Sequence, residues 1–341
     1  MSEILIINVS RIGDTLIATP AIRALAAAHP RARVTCLAHP KRMEVLRHLP
    51  FVHRVGAVTK NRARLQGWIG GKRYDLAVVH GFDQPLVAYA LRVSKRVVAF
   101  RQGDPALDRR LQPAVEPPGF QSRHSVHLQL DLVRALGVSP SGLALSYQVT
   151  GQEAIWGRDQ LGSHVPADAA PLIGIQVASF PTKGYRDWPI DHFFELCKRI
   201  AERHPRVHFL VFGGALERSR TQWLNDRLAP RSSHFAGKLT LRRTAALMSR
   251  LDLYIGVDTG PTHIMGTMGI PMVVLYHCFS PSRLIAPLEH PCLYAIDHPR
   301  LGGECSPSSP MSEISVNAVW ERVAAALDSI RSGGPAAAAA L

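Results

Sequence analysis

Several clusters of side chains in this 341-residue chain have types and spacings suited to chemistry on a charged substrate. The first is SRIGDTLIATPAIRAL, Ser10 to Leu25, where an apolar run gives way to a helical pattern. A nucleotide-binding protein would place a glycine-rich phosphate loop there, but this turn offers only Gly13, followed by the carboxylate of Asp14. The second is VDTGPTHIMGTMGIP. A buried strand ends near Asp258, Thr259-Gly260-Pro261 turn the chain, and a short helix begins whose free amides favour an anion. In the same place Asp258 or Thr259 would cap that helix, and His263 is either a ligand contact or a packed helical histidine. The third, ASFPTKGYRDWP, ends another strand with Ser179, Thr182, Lys183 and Arg186, hydroxyl and cationic groups able to neutralise a departing diphosphate. The fourth, GGALERSR, follows a strand and places Glu217 where an acid can hold sugar hydroxyls, or begin a surface helix.

The elements that must position these groups alternate regularly. Apolar runs of strand length occur at 4–9, 33–38, 75–81 and 96–100, then at 172–178, 207–214, 251–258 and 271–277. Amphipathic helical patterns separate them, and a last helix covers 316–330. Near-continuous apolar strands with helices between them predict parallel sheets covered on both faces. The rhythm lapses over 139–171, which is richer in Pro, Gly and Ser, so a linker is expected near 150–170. Two doubly wound α/β domains are predicted, over 1–155 and 168–330, with ligand in a cleft at the strand carboxyl ends and a frayed tail over 331–341.

Composition narrows the partner. Net charge is +14, and the first 150 residues carry 21 Lys+Arg against 9 Asp+Glu, a net of +12. That half is therefore expected to face a phosphorylated or otherwise anionic partner. No helix-turn-helix, zinc-finger or RNA-recognition pattern accompanies the charge, which argues against nucleic acid. The five cysteines are odd in number and scattered without a C-x-x-C pair, which argues against a disulfide framework and a structural zinc site and for a reducing cytoplasm. No apolar run approaches a membrane span, and the first residues do not read as a signal peptide.

Taken in order and spacing, ILIINVSRIGDTLIATPAIRALAAAHP, FPTKGYRDWPIDHFFELCKRI, VFGGALER and VDTGPTHIMGTMGIP resemble glycosyltransferase family 9, the ADP-heptose:lipopolysaccharide heptosyltransferases. The resemblance spans about residues 3–330 and implies the GT-B fold: two Rossmann-like doubly wound domains facing across a central cleft. It also implies metal-independent, inverting transfer of heptose from ADP-heptose to the lipopolysaccharide inner core. ADP-sugar is a substrate in such a reaction, so no cofactor is expected. By the same resemblance Asp14 matches a general base, Asp258, Thr259 and Gly260 a loop holding pyrophosphate and sugar, and Leu239 an apolar cover for adenine, while Glu217 falls near an acid that contacts donor hydroxyls. Ser179, Thr182, Lys183, Arg186 and His263 complete the donor side, and Arg11, Lys60, Arg62 and Arg64 are the acceptor-side candidates.

Three departures bear on detail. The family usually reads Lys-x-Trp-Pro, whereas KGYRDWP leaves either Lys183 or Arg186 as the phosphate cation. QVASF stands in place of a Pro-Gly-Ala-Ser-like loop, so the donor sugar could differ, and CSPSSPM lacks a second cysteine common near the family's C-terminus. The implied enzyme works on the cytoplasmic face of the inner membrane in peripheral contact with it. Rival readings are a nucleotide-sugar epimerase or hydrolase of the same architecture, a protein-directed heptosyltransferase, and a non-catalytic nucleotide-binding protein.

Overall fold

The computed structural model describes residues 2–117, 119, 123–178 and 181–332, with residues 181 and 182 as backbone alone. The chain forms two compact units, Met1–Gln148 and Val149–Leu341, each built on one parallel sheet of six strands.

In the first unit β1 (Glu3–Asn8) leads into α1 (Ile12–Ile17) and α2 (Thr19–Ala28). Then come β2 (Arg33–Ala38), β3 (Arg54–Ala57), α3 (Lys60–Leu65), β4 (Tyr74–His80) and α4 (Gln84–Val93). The unit is completed by β5 (Ser94–Phe100), α5 (Pro105–Asp108), β6 (Ala114–Val115) and α6 (Ser125–Arg134). Strand order is β3-β2-β1-β4-β5-β6, so the chain reverses direction across the sheet beside β1. Ile4 to Ile7 are all buried, as a central parallel strand covered on both faces requires. The turn after such a strand, at the reversal point, is where α/β sheets bind ligands, and it is here that Asp14 lies.

The second unit opens with α7 (Gly151–His164), then β7 (Leu172–Gln176), α8 (Ile190–Arg203), β8 (His208–Phe212), α9 (Arg218–Leu228) and β9 (Ser232–His234). It continues through α10 (Leu241–Met248), β10 (Leu253–Val257), α11 (Gly260–Met265), β11 (Met272–Tyr276), α12 (Ser282–Ile285), β12 (Leu293–Asp297) and α13 (Val316–Arg331). Its order, β12-β11-β10-β7-β8-β9, repeats the first. α8 buries Phe193, Leu196, Cys197 and Ile200, the i, i+3, i+4, i+7 stripe of a helix lying on a sheet.

Two expectations need correction. The stretch expected as a linker, 150–170, holds α7, which packs on α10 and belongs to the second unit. Its signal is a capping box: Thr150 accepts from the Glu153 amide while the Glu153 carboxylate accepts from the Thr150 amide. Glu153 also pairs with Arg242 of α10. The scattered cysteines, expected to stay unpaired, include a Cys278–Cys305 disulfide that joins the segment after β11 to the loop after β12. Strands β11 and β12 are neighbours, so the sheet brings together residues 27 positions apart. The frayed tail expected over 331–341 lies, beyond residue 332, outside the described residues.

Candidate active site

In the first unit a cavity of about 500 Å³ opens beside the end of β1. Its charged lining is Asp14, Arg11, His39, Arg42 and Lys60. Asp14 occupies the first turn of α1, where the helix dipole favours a carboxylate, but the capping position belongs to Arg11. Its carboxylate is exposed and has no bonding partner among the described residues, so the capping reading fails and the group faces the cavity unspent. Arg42 donates to the Ser10 carbonyl at 2.8 Å, fixing a cation over the turn. The His39 imidazole is held below its ordinary pKa by desolvation and by the Arg42 and Lys41 charges. Of the acceptor-side candidates, Arg11 and Lys60 line this cavity, while Arg62 and Arg64 lie further along α3.

In the second unit the groups converge at the end of β10. Asp258 is 3% exposed. Arg186 forms an ion pair with its Oδ2 through Nη1, and His263 Nε2 donates to its Oδ1 at 3.2 Å. Burial alone would push the Asp258 carboxyl up; the His263 hydrogen bond and the Arg186 charge outweigh it and hold the pKa below the usual range. Arg186 also donates from Nη2 to Ser280 Oγ at 2.7 Å and from Nε to the Tyr185 hydroxyl at 3.3 Å. Lys183 reaches the same hydroxyl at 3.5 Å, and the Tyr185 ring rests edge-on to His277, centroids 4.9 Å apart. Trp188, fully buried, donates its indole N–H to the Ile314 carbonyl at 2.8 Å and so anchors the loop that carries these cations.

Thr259 caps α11, accepting from the Thr262 amide at 3.3 Å. The Thr262 hydroxyl donates back to the Val257 carbonyl at 2.6 Å and meets the buried Tyr254 hydroxyl at 2.7 Å. This braces the turn that presents Asp258. Gly260 is the first residue of α11.

Glu217 ends a short 3₁₀ turn after β8, two strands from β10 and so about 10 Å across the sheet. Its carboxylate lies over Gly214, where a Cβ would stand 2.6 Å from Oε2. Leu239 packs on the core that includes Phe212 and Tyr254 and lines a cavity of about 610 Å³ with Trp156, Lys238 and Arg243. Ser179 and the Thr182 side chain lie outside the described residues.

The fold thus joins Asp258, His263, Arg186 and Lys183 into one constellation and leaves Glu217 and Leu239 on neighbouring strand ends. Sequence reasoning overlooked Tyr185, Ser280 and His277 here, and His39 and Arg42 beside Asp14. Ser280 and His277 follow β11, and position at a parallel-strand end was the available signal. Among the described residues one cluster offers metal-type donors, His277, Cys278 and Cys305, with ligand atoms within 4.8 Å of one another. Both sulfurs are joined in the disulfide and present no thiolate.

Two six-stranded Rossmann-like units, the second ending its central strand in a buried acid held by a cation and a histidine, define a GT-B protein. The sequence profile of Glycosyltransferase family 9 (heptosyltransferase) matches residues 77–292, more than half of the chain, and the chain belongs to that family. It is a glycosyltransferase. A segment of 102 residues is 28% identical to the lipopolysaccharide core heptosyltransferase OpsX of Haemophilus influenzae, covering 30% of this chain and 29% of that one. Over 313 residues it is 26% identical to lipopolysaccharide heptosyltransferase 2 of Salmonella typhimurium, covering 84% and 86%. The solved structure of Escherichia coli ADP-heptose lps heptosyltransferase II superposes with a TM-score of 0.78 at 21% identity, over 97% of this chain and all of that one.

Proposed function

We propose that this chain moves a heptose from ADP-heptose to an anionic acceptor of the lipopolysaccharide inner core, inverting the anomeric carbon and needing no metal. The observation that carries the donor half is the Arg186–Asp258–His263 constellation around a buried carboxylate at the end of β10, in a member of a heptosyltransferase family. The lipopolysaccharide heptosyltransferases it resembles supply the substrate class.

Each half of the chemistry has residues suited to it. Asp14, unpaired in a cavity bordered by Arg11, Arg42 and Lys60, takes the proton of the acceptor hydroxyl as its oxygen attacks the anomeric carbon. The C–O bond to the diphosphate breaks, and ADP leaves with the bonding pair. Lys183 and Arg186 supply positive charge to the departing diphosphate. Asp258, kept ionised, orients Arg186 and His263 and accepts from sugar hydroxyls. Glu217 holds further donor hydroxyls and Leu239 covers the adenine. The basic first half, net +12 over residues 1–150, suits a phosphorylated lipid acceptor and peripheral contact with the cytoplasmic face of the inner membrane. Among the described residues no helix is long and apolar enough to cross a membrane.

Transfer from ADP-heptose to core-truncated acceptor, followed by mass spectrometry of the product, tests the reading. Asp14→Ala should lower kcat by about 10³-fold with an unchanged melting temperature. Full activity of that variant rejects the base, and failure of every ADP-sugar rejects the donor.

A further inference from the structure

The most exposed apolar side chains of the first unit are not scattered. Leu65, which ends α3, is 82% exposed, and Trp68 and Ile69, in the loop that follows, are 71% and 92% exposed. Residues 60–73 carry five cations, Lys60, Arg62, Arg64, Lys72 and Arg73, and no acid. Apolar tips ringed by Lys and Arg are the composition of an interfacial anchor: the rings and aliphatic chains enter the headgroup boundary and the cations meet lipid phosphates.

The loop is held out rather than left loose. Arg92 of α4 donates to the Gln66 carbonyl at 2.9 Å and to the Ala63 carbonyl, and its guanidinium stacks on Trp68, 4.5 Å from the ring centroid. The Trp68 indole N–H donates to the Arg64 carbonyl at 3.2 Å, so the ring's polar edge is satisfied and one face carries Arg92 while most of the side chain stays exposed. Gly67, at φ +81°, lets the chain turn tightly over Val93, where a Cβ would stand 2.8 Å from Cγ1. A braced loop loses little conformational freedom when its tip is buried.

We infer that Leu65, Trp68 and Ile69 insert into an anionic bilayer surface and that the surrounding cations bind its phosphates. The inference rests on the reading of a membrane-held acceptor and gives that acceptor a route. Thr59, Lys60 and Asn61, at the start of α3, line the Asp14 cavity, while Leu65 ends the same helix. Six residues span about 9 Å, so a seated tip holds Asp14 just above the headgroups, within reach of a sugar rising from the membrane.

Co-sedimentation of the full chain with vesicles of phosphatidylethanolamine, with and without phosphatidylglycerol, tests this without any acceptor or donor. The expected result is binding that needs the anionic lipid, weakens as salt rises and falls about tenfold or more in the Trp68→Ser/Ile69→Ser variant. Trp68 and Ile69 are solvent-exposed and Arg92 keeps its bonds to the Gln66 and Ala63 carbonyls, so the variant should melt close to the parent. Ile69→Ser alone, which breaks no brace, should weaken vesicle binding in the same direction. Its kcat/KM should hold on a delipidated acceptor and fall on a vesicle-embedded one. The inference is overturned if the parent ignores anionic vesicles, if the double variant binds them equally well, or if the variant instead abolishes self-association in sedimentation equilibrium. Vesicle binding through this loop by a protein that transfers no heptose would uphold the inference and reject the proposed function. Transfer without vesicle binding would do the reverse.

Discussion

Arg186 and Asp258, 72 residues apart in sequence, meet as an ion pair at the end of β10, the carboxylate buried and the guanidinium partly so. Asp258 is almost wholly desolvated, and its second oxygen is taken by His263. A charge so placed is tolerable only while its partners stay. The pair therefore constrains both the loop of Arg186 and the turn after β10.

Removal of the cation should show both effects. Arg186→Ala is expected to destabilise the second unit by about 3 kcal/mol, because an uncompensated carboxylate is left buried. It should also lower kcat by about 10²-fold or more. Urea denaturation and steady-state kinetics on one preparation measure the two, and an unchanged midpoint would contradict the pairing.

The same geometry sets an acid limit. The folded-state pKa of Asp258 lies below its unfolded value, so its contribution to stability is present above the ordinary carboxylate range and is lost as pH falls through the lowered value. Mild acidification to about pH 5 should leave that contribution intact. In Arg186→Gln the depression weakens, so acid unfolding should begin at higher pH; melting curves across pH 3–7 would reveal a coincident onset if this is wrong.

Glu153 behaves likewise at a second place. Burial works against its charge, but Arg242 and the Thr150 contacts dominate and bring its pKa to about 2. Its stabilisation is full above the unfolded value and disappears as pH drops toward 2. Glu153→Gln should cost about 2 kcal/mol at neutral pH, less than the full shift implies because the side chain is partly solvated. The difference from the parent should vanish in acid, which denaturant titrations at two pH values would check.

The Cys278–Cys305 disulfide tethers the segment that carries Ser280. Closing a loop of 27 residues is worth about 3.5 kcal/mol in the chain-entropy account. Cys278→Ser should melt lower and raise KM for the donor more than it lowers kcat, since Ser280 supports Arg186. Reductant should move the parent toward the variant and leave the variant unaltered.

Much of the architecture was readable along the chain because buried parallel strands are apolar without interruption. ILIINV, LIGIQVA and LDLYIGVD mark β1, β7 and β10 to within a few residues. The edge strands β3, β6, β9 and β12 were not read: they are short or half-exposed, and pairing rather than composition makes them strands. α7 went unseen because its sequence has little apolar periodicity, and only its capping box announces it.

Local chemistry by itself determined where the reactive types lie: a carboxylate after Gly13, an acid and hydroxyl at the turn before α11, cations ahead of Trp188. Their positions at strand ends follow from hydrophobic periodicity, which is a property of neighbours in sequence. Tertiary structure alone decided that Arg186 pairs with Asp258, that Tyr185 and Ser280 hold it, that Cys278 finds Cys305, and that Leu65, Trp68 and Ile69 stay outside. Each depends on which strands become neighbours in a sheet and how side chains pack across it, and contacts between residues tens of positions apart leave no periodic trace in the chain.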